Sequence, residues 1–125
     1  MSYTLTISEN GRYIICKVNG PVTVEVAQAF GRDMDRLSHA QNIKRFLTDV
    51  RGAPNMSTPF QNYGFAYQDM KDMKFQRDVR SAILADLADT THDFLETAAY
   101  NAGYTVRVFH DEDSAIAWLD EETSD

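Results

Sequence analysis

Val79-Arg80-Ser81-Ala82-Ile83-Leu84-Ala85-Asp86-Leu87 contains the run that decides the fold. Its centre, Ala82 to Ala85, is apolar without interruption. A strand wetted on one side alternates polar and apolar residues, whereas an unbroken apolar run marks a strand covered on both faces, as in a parallel sheet. Parallel neighbours require crossovers, and the flanking sequence supplies helices for them. Upstream, Ser57 or Thr58 can cap a helix running to about Phe75, with Pro59 tolerated in its first turn. Downstream, Thr90 or Thr91 caps a short helix with Phe94, Leu95, Ala98, Ala99 and Ala102 inward, and Gly103 stops it. Tyr104 to Phe109 follows as the next strand.

Working outward, Arg45 to Val50 is a strand that Arg51-Gly52-Ala53-Pro54-Asn55 breaks. Before it, Thr23 caps a helix from Val24 to about Ser38, with Val26, Ala27, Phe30, Met34 and Leu37 at helical spacing. Tyr3 to Ser8 alternates with period two, and Asn10-Gly11 signals a two-residue hairpin into a second strand, Arg12 to Val18. At the other end Asp111 caps a last helix, where Glu112 and Asp113 complement the dipole and Ala115, Ile116, Trp118 and Leu119 pack. The order is ββαβαβαβα: a single α/β domain over residues 1–119, a mixed five-stranded sheet with helices packed on it. Right-handed crossovers leave few topologies open. Residues 120–125 (Asp120-Glu121-Glu122-Thr123-Ser124-Asp125) are expected to form a frayed acidic tail.

Composition narrows the class of function. The 125 residues, 43% hydrophobic with seven Phe, six Tyr and one Trp, suffice for one buried core and argue against disorder. No apolar run is long enough to span a bilayer, and Met1-Ser2-Tyr3-Thr4-Leu5 lacks a secretory pattern, so a cytoplasmic location without membrane insertion is expected. Charge is divided unevenly. Residues 1–62 carry seven Lys/Arg against five Asp/Glu (+2), and residues 63–125 carry five against fourteen (−9), which gives the net −7. An acidic domain repels phosphate backbones, so nucleic acid is not an expected partner. The pair Lys44-Arg45 and the group Lys71, Lys74, Arg77 and Arg80, interrupted by Asp72 and Asp78, read as solvated surface.

Phosphate-cradling GxGxxG and GxxxxGK[ST] loops and the GxSxG elbow are absent. His39, His92 and His110 fall on different elements with no metal-ligand spacing, and the lone Cys16 is expected as a small core residue; no metal and no cofactor is implied. Asp49 and Arg51 stand at the carboxyl end of the third strand, the edge where open α/β sheets bind ligands, although an internal ion pair explains the same residues. Ser57 and Thr58 are helix caps or, alternatively, phosphoacceptors facing free backbone amides. In the second helix Phe60, Tyr63, Tyr67 and Met70 form one stripe, expected as core. Phe65 and Met73 fall off it and would face a partner or a pocket. His92, beside Asp89 and Asp93, reads as a surface histidine with acidic neighbours.

The element order resembles the STAS-like superfamily, the fold of bacterial anti-sigma-factor antagonists and of sulphate-transporter cytoplasmic domains. Leu47-Thr48-Asp49-Val50-Arg51-Gly52, Arg80-Ser81-Ala82-Ile83-Leu84, and Val106-Arg107-Val108-Phe109 followed by Ala115-Ile116-Ala117-Trp118-Leu119 carry the likeness. It is nearest to the small stand-alone bacterial antagonist-like branch and covers roughly Tyr3 to Leu119. The resemblance implies a regulatory or binding module without catalytic machinery, recognising its partner through the loop after the third strand and the following helix. In such antagonists a serine at the start of this helix is phosphorylated. The matching positions are Ser57 or Thr58, with Met56 where the family pattern has aspartate and Pro59 where it has glycine.

The expected function is therefore a non-enzymatic STAS-like module that recognises a protein partner or small molecule through Asp49, Arg51, Ser57, Thr58, Tyr63 and Tyr67. Two alternatives stand beside it. One is a carrier holding an apolar, lipid-like molecule under the second helix, and the other is a small enzyme using His92 or Asp49. A homodimer through the aromatic helix or an open sheet edge is compatible with each.

Overall fold

The computed structural model describes residues 2–121. Five strands, β1 (Tyr3–Ile7), β2 (Ile14–Val18), β3 (Arg45–Asp49), β4 (Arg80–Leu84) and β5 (Thr105–Phe109), form one sheet in sequence order. β1 pairs antiparallel with β2, and every later pair is parallel. The helices are α1 (Val24–Gln41), α2, α3 (Asp93–Asn101) and α4 (Glu112–Asp120). α2 is one helical segment in three parts: Pro59–Gly64, a π-helical stretch Phe65–Asp69, and Met70–Asp72. This is the expected ββαβαβαβα order and mixed sheet.

Because each crossover from β2 onward steps the same way across the sheet, right-handed connections put α1, α2 and α3 on one face. Only α4 remains for the other. The register shows both. Phe46, Ile83, Val106 and Val108 point to the face of α1 and α3, where Met34, Phe30 and Leu95 meet them. Leu47, Ala82 and Leu84 point the opposite way, against Ala115 and Leu119 of α4 with Tyr13 and Trp118 beside them. Ala82, Ile83 and Leu84 are all buried, so the unbroken apolar run does mark a strand covered on both sides.

Several boundaries differ from the expectation. The hairpin is not a two-residue turn: Ile7 pairs with Ile14, and Gly11, with φ +71°, sits in a longer loop. There the Ser8 hydroxyl oxygen accepts from the amides of Arg12 and Tyr13, at 3.1 Å each, and local side-chain bonding displaces the tight turn. α2 stops at Asp72 rather than near Phe75, and Lys74 takes the left-handed conformation (φ +57°) that closes it. Neither Thr90 nor Thr91 caps α3; His92 occupies the cap position without a side-chain capping bond. Thr91 is engaged elsewhere, donating to Asp89 and accepting from the Asn55 amide. β4 is shorter than Val79–Leu87, and Leu87 is 85% exposed. At the C-terminus Asp120 closes α4, and Glu121 lies 3.5 Å from Arg80. The rest of the expected tail, residues 122–125, lies outside the described residues.

Candidate functional site

The loop from Val50 to Thr58 leaves the carboxyl end of β3 and is tied down on both sides. Val22 donates to the Pro54 carbonyl and accepts from Met56, at 2.8 Å each, so the loop pairs with the chain entering α1. Gly52, in the left-handed region at φ +76°, turns its amide onto the Asp86 carboxylate at 2.6 Å. Asn55 takes the Thr91 hydroxyl oxygen as acceptor at 2.9 Å. Thr58 then caps α2 with a reciprocal box: its hydroxyl accepts from Gln61 N–H, and Gln61 Oε1 accepts from Thr58 N–H. A cap of this kind contributes about 1 kcal/mol. The Ser57 amide donates to Asn55 Oδ1 at 2.9 Å, and Ser57 does not cap the helix.

α2 turns a different face to the sheet than its aromatic stripe predicts. Asn62, Phe65 and Ala66 are buried, while Phe60 is 85% exposed and Tyr63 and Tyr67 lie on the outer surface. Two local causes combine. Asn62 is drawn inward by Asn55, whose Nδ2 donates to Asn62 Oδ1 at 3.1 Å. The π-helical stretch then inserts a wider turn, in which Met70 N–H bonds to the Phe65 carbonyl, and this keeps Phe65 and Ala66 on the inner side. The outward aromatics pack on each other, Tyr63 against Tyr67 at 5.6 Å and edge-on against Phe94 at 5.0 Å between centroids.

Beneath α2 lies a cavity of ≈ 130 Å³, walled by α1, α2, α3 and the sheet face they cover. Phe30, Met34, Phe46, Phe65, Met70 and Ile83 are among its apolar lining. Its two ends are polar. At the carboxyl edge of the parallel strands stand Asn55, Ser57, Asn62 and His92; toward the opposite edge stand Gln76 and Tyr104. No lysine or arginine lines it among the described residues.

His92 is not a surface residue: it is 2% exposed. Its Nε2 lies 2.9 Å from the Ala53 carbonyl, which can only accept, so that nitrogen carries the proton. Asp89 Oδ2 is 3.7 Å from the same nitrogen. Burial would raise the Asp89 carboxyl, but the Thr91 hydroxyl and amide hold it below its ordinary value, aided by His92. The ring thus pins the loop after β3 to the start of α3.

Asp49 and Arg51 belong to the other face. Arg51 grips Asp49 with Nε–Oδ1 at 3.0 Å and Nη2–Oδ2 at 2.8 Å, while Lys17 approaches Asp49 to 3.5 Å and Glu112 of α4 approaches Arg51 to 3.2 Å. Burial alone would raise the Asp49 carboxyl, yet the Arg51 hydrogen bonds, with Lys17, hold it below its ordinary value. The Arg51 guanidinium is in turn raised, chiefly by that bond to Asp49. The pair is an internal ion pair at the rim of α4. Of the six residues singled out from sequence, only Ser57 reaches the cavity; Thr58 caps α2, and Tyr63 and Tyr67 lie outside it.

Asn55, Asn62 and Tyr104 were missed, and His92, weighed for an enzyme, was expected at the surface. Asn55 and Asn62, seven residues apart across a helix start, carry a faint sequence signal, since paired asparagines can satisfy each other when buried. Tyr104 carries none. Cys16 is fully buried and its thiol pushed up to about 12 by burial, then by Asp33 and Asp49, so it is an inert core residue. Among the described residues no group of three His, Cys, Asp or Glu could hold a metal ion, and no helix is long and apolar enough to cross a membrane.

No family model and no curated protein sequence matches this chain. Solved structures do. An uncharacterized protein of the DUF3478 family from Shewanella loihica PV-4, with a SpoIIAA-like fold, is similar over 94% of this chain and 91% of its own at a TM-score of 0.55 and 18% identity. The fold is STAS-like. The anti-sigma factor antagonist SpoIIAA, in its unphosphorylated form, is similar over 94% of this chain and 96% of its own, at a TM-score of 0.52 and 12% identity. At such identities the STAS-like likeness establishes the chain trace alone, and the site must be argued from its own residues.

Proposed function

We propose that this STAS-like domain is a non-enzymatic binding module that encloses a small apolar molecule beneath α2. The observation that carries the reading is the apolar cavity of ≈ 130 Å³. Interiors are packed nearly as densely as organic crystals, and an apolar void of about 150 Å³ is known to accept benzene. The two groups weighed for an enzyme are already engaged. His92 Nε2 is held by a carbonyl, and Asp49 is neutralised by Arg51 and Lys17. The loop after β3 and α2 form the cover, so occupancy changes the surface on which Ser57, Thr58, Tyr63 and Tyr67 stand, a route to a protein partner.

Toluene tests the reading directly. It should raise the thermal midpoint of the purified protein in a saturable way. In Ala27→Leu, which extends a lining side chain into the cavity, that shift should vanish. If toluene leaves the wild-type midpoint unmoved and native mass spectrometry shows no adduct, the proposal is wrong.

The exposed aromatics support a second reading, recognition of a protein partner by Phe60, Tyr63 and Tyr67 on the outer face of α2. Alanine at Tyr63 and Tyr67 should then abolish partner capture with little change in stability, and undiminished capture would exclude this face.

A further inference from the structure

We infer that a second copy of this chain docks on β1, the two β1 strands pairing antiparallel about a two-fold axis with Leu5 opposite Leu5, so that one sheet runs through both copies. Among the described residues β1 has β2 as its only strand neighbour. Ser8 N–H donates to the Tyr13 carbonyl, and Asn19 N–H donates to the Ser2 carbonyl, so the even-numbered residues of β1 turn their backbone toward β2. Tyr3, Leu5 and Ile7 therefore turn their N–H and C=O groups away from the sheet. Such an edge invites another strand unless a charge, a proline or a cover blunts it. The far edge is blunted: the Val108 amide of β5 donates to the Glu96 carboxylate at 2.6 Å, and Arg107 is charged and exposed. β1, Tyr3-Thr4-Leu5-Thr6-Ile7, carries no charge and no proline. It is also held in place, because the Tyr3 hydroxyl donates to Asp33 of α1.

The strand is complementary to itself. With Leu5 on the axis, Tyr3 stands opposite Ile7, and each pair exchanges both backbone bonds, so no outward group of β1 is left over. On the other face Thr4 stands opposite Thr6, a favourable cross-strand pair, and both are exposed. Ile7, 40% exposed, gains cover, and a shallow groove between β1 and α1, lined by Leu5, Leu37 and Ala40, adds apolar surface beside the seam. Charge favours this edge over the other. Strand order follows the sequence, so residues 1–62, net +2, hold β1 to β3, whereas residues 63–125, net −9, hold β4 and β5. Docking by β5 would bring the acidic halves of two copies together. Docking by β1 keeps each acidic half three strand spacings from the seam, roughly 14 Å, beyond a Debye length of about 8 Å.

Sedimentation equilibrium of the purified protein should show a monomer–dimer equilibrium. Thr4→Lys combined with Thr6→Lys should weaken it about tenfold, since the two-fold axis sets two pairs of like charges face to face. Thr4→Lys combined with Thr6→Glu should restore it, because position 4 meets position 6 of the second copy. Crosslinking supplies a readout that a folding defect does not mimic. Thr4→Cys mixed with Thr6→Cys should form a disulfide-linked dimer faster than either variant alone, the native Cys16 being buried in both. A wild type that stays monomeric at every concentration refutes the inference. A dimer that the charge pairs leave unchanged, and that crosslinks no faster in the mixture, refutes β1 as the seam and moves it to another surface.

Discussion

The two faces of the sheet are made from the same five strands, yet one is filled and the other is not. Under α4, Leu84, Leu119 and Ala115 close the space, with Phe109 and Trp118 in contact at 5.5 Å between ring centroids. Under α1, α2 and α3, three helices cover the sheet but leave ≈ 130 Å³ between them. One helix can settle into the groove that the twisted sheet offers. Three helices must also pack on one another, and α2 is held at both ends by polar ties instead. At its start Thr58 and Asn62 fix it, and at its π-helical stretch Asp69 accepts from Gln28 of α1 at 2.9 Å. Position is thus set by hydrogen bonds at the rim, and the interior is free to remain open.

That contrast predicts unequal costs for cutting into the two faces. Leu84→Ala, on the filled side, should lose about 2–5 kcal/mol in urea titration, because the vacated space cannot be refilled. Met70→Ala, on the open side, should lose roughly 1–2 kcal/mol, since Met70 already lacks neighbours toward the cavity. Equal losses would mean that the cavity closes in solution and that the contrast is false.

How much of this was readable beforehand follows the same division. The filled face was legible: the run Ala82 to Ala85 fixed the parallel sheet, and Asp111 with Ala115 and Leu119 fixed α4. Those elements obey local periodicity and capping. The open face was not legible in detail. The stripe of Phe60, Tyr63 and Tyr67 obeys helical spacing and turns outward nonetheless, because a buried Asn55–Asn62 bond and a wide turn decide which side faces the sheet. His92, flanked by acids, looked wet and is buried, since a carbonyl 39 positions away in the loop at Ala53 claims its ring nitrogen. The first error arises from a side-chain bond seven residues apart and an irregular turn, which helical periodicity does not register; the second arises from a contact 39 positions away, which no short window of sequence contains.

The rim of α4 gives the next prediction. The Asp49 carboxyl is held below its ordinary value of 3.8 in the folded protein. The unfolded chain therefore binds more protons as pH falls, so the contribution is complete above about pH 4 and is lost as pH drops through the lower folded value. Asp49→Asn should cost about 1–2 kcal/mol near neutrality, toward the lower end for a charged hydrogen bond because the Arg51 side chain is 44% exposed. It should also flatten the acid limb of a stability–pH curve. An acid limb identical to wild type would show that the pair contributes nothing.

The smallest expected effect sharpens the comparison most. A Cβ on Gly31, in the middle of α1, would come within 2.9 Å of the Phe75 ring. In a filled core such an approach is destabilising, since a rigid neighbour must move. Here the ring tip is the obstacle, and Gly31 and Phe75 both line the cavity, so the ring has somewhere to go. Replacing a mid-helix glycine by alanine gains roughly 0.5–1 kcal/mol from the unfolded chain and helix propensity, which opposes the displacement of the ring. Gly31→Ala should therefore change stability by no more than about 0.5 kcal/mol while reducing the toluene-induced midpoint shift, because the displaced ring takes up part of the void. A loss of several kcal/mol would show the Phe75 ring to be fixed and the space beside it already occupied. Unchanged stability with undiminished toluene binding would place the toluene site away from Phe75. Only an open interior lets one added methyl group leave the fold standing and still shrink the site.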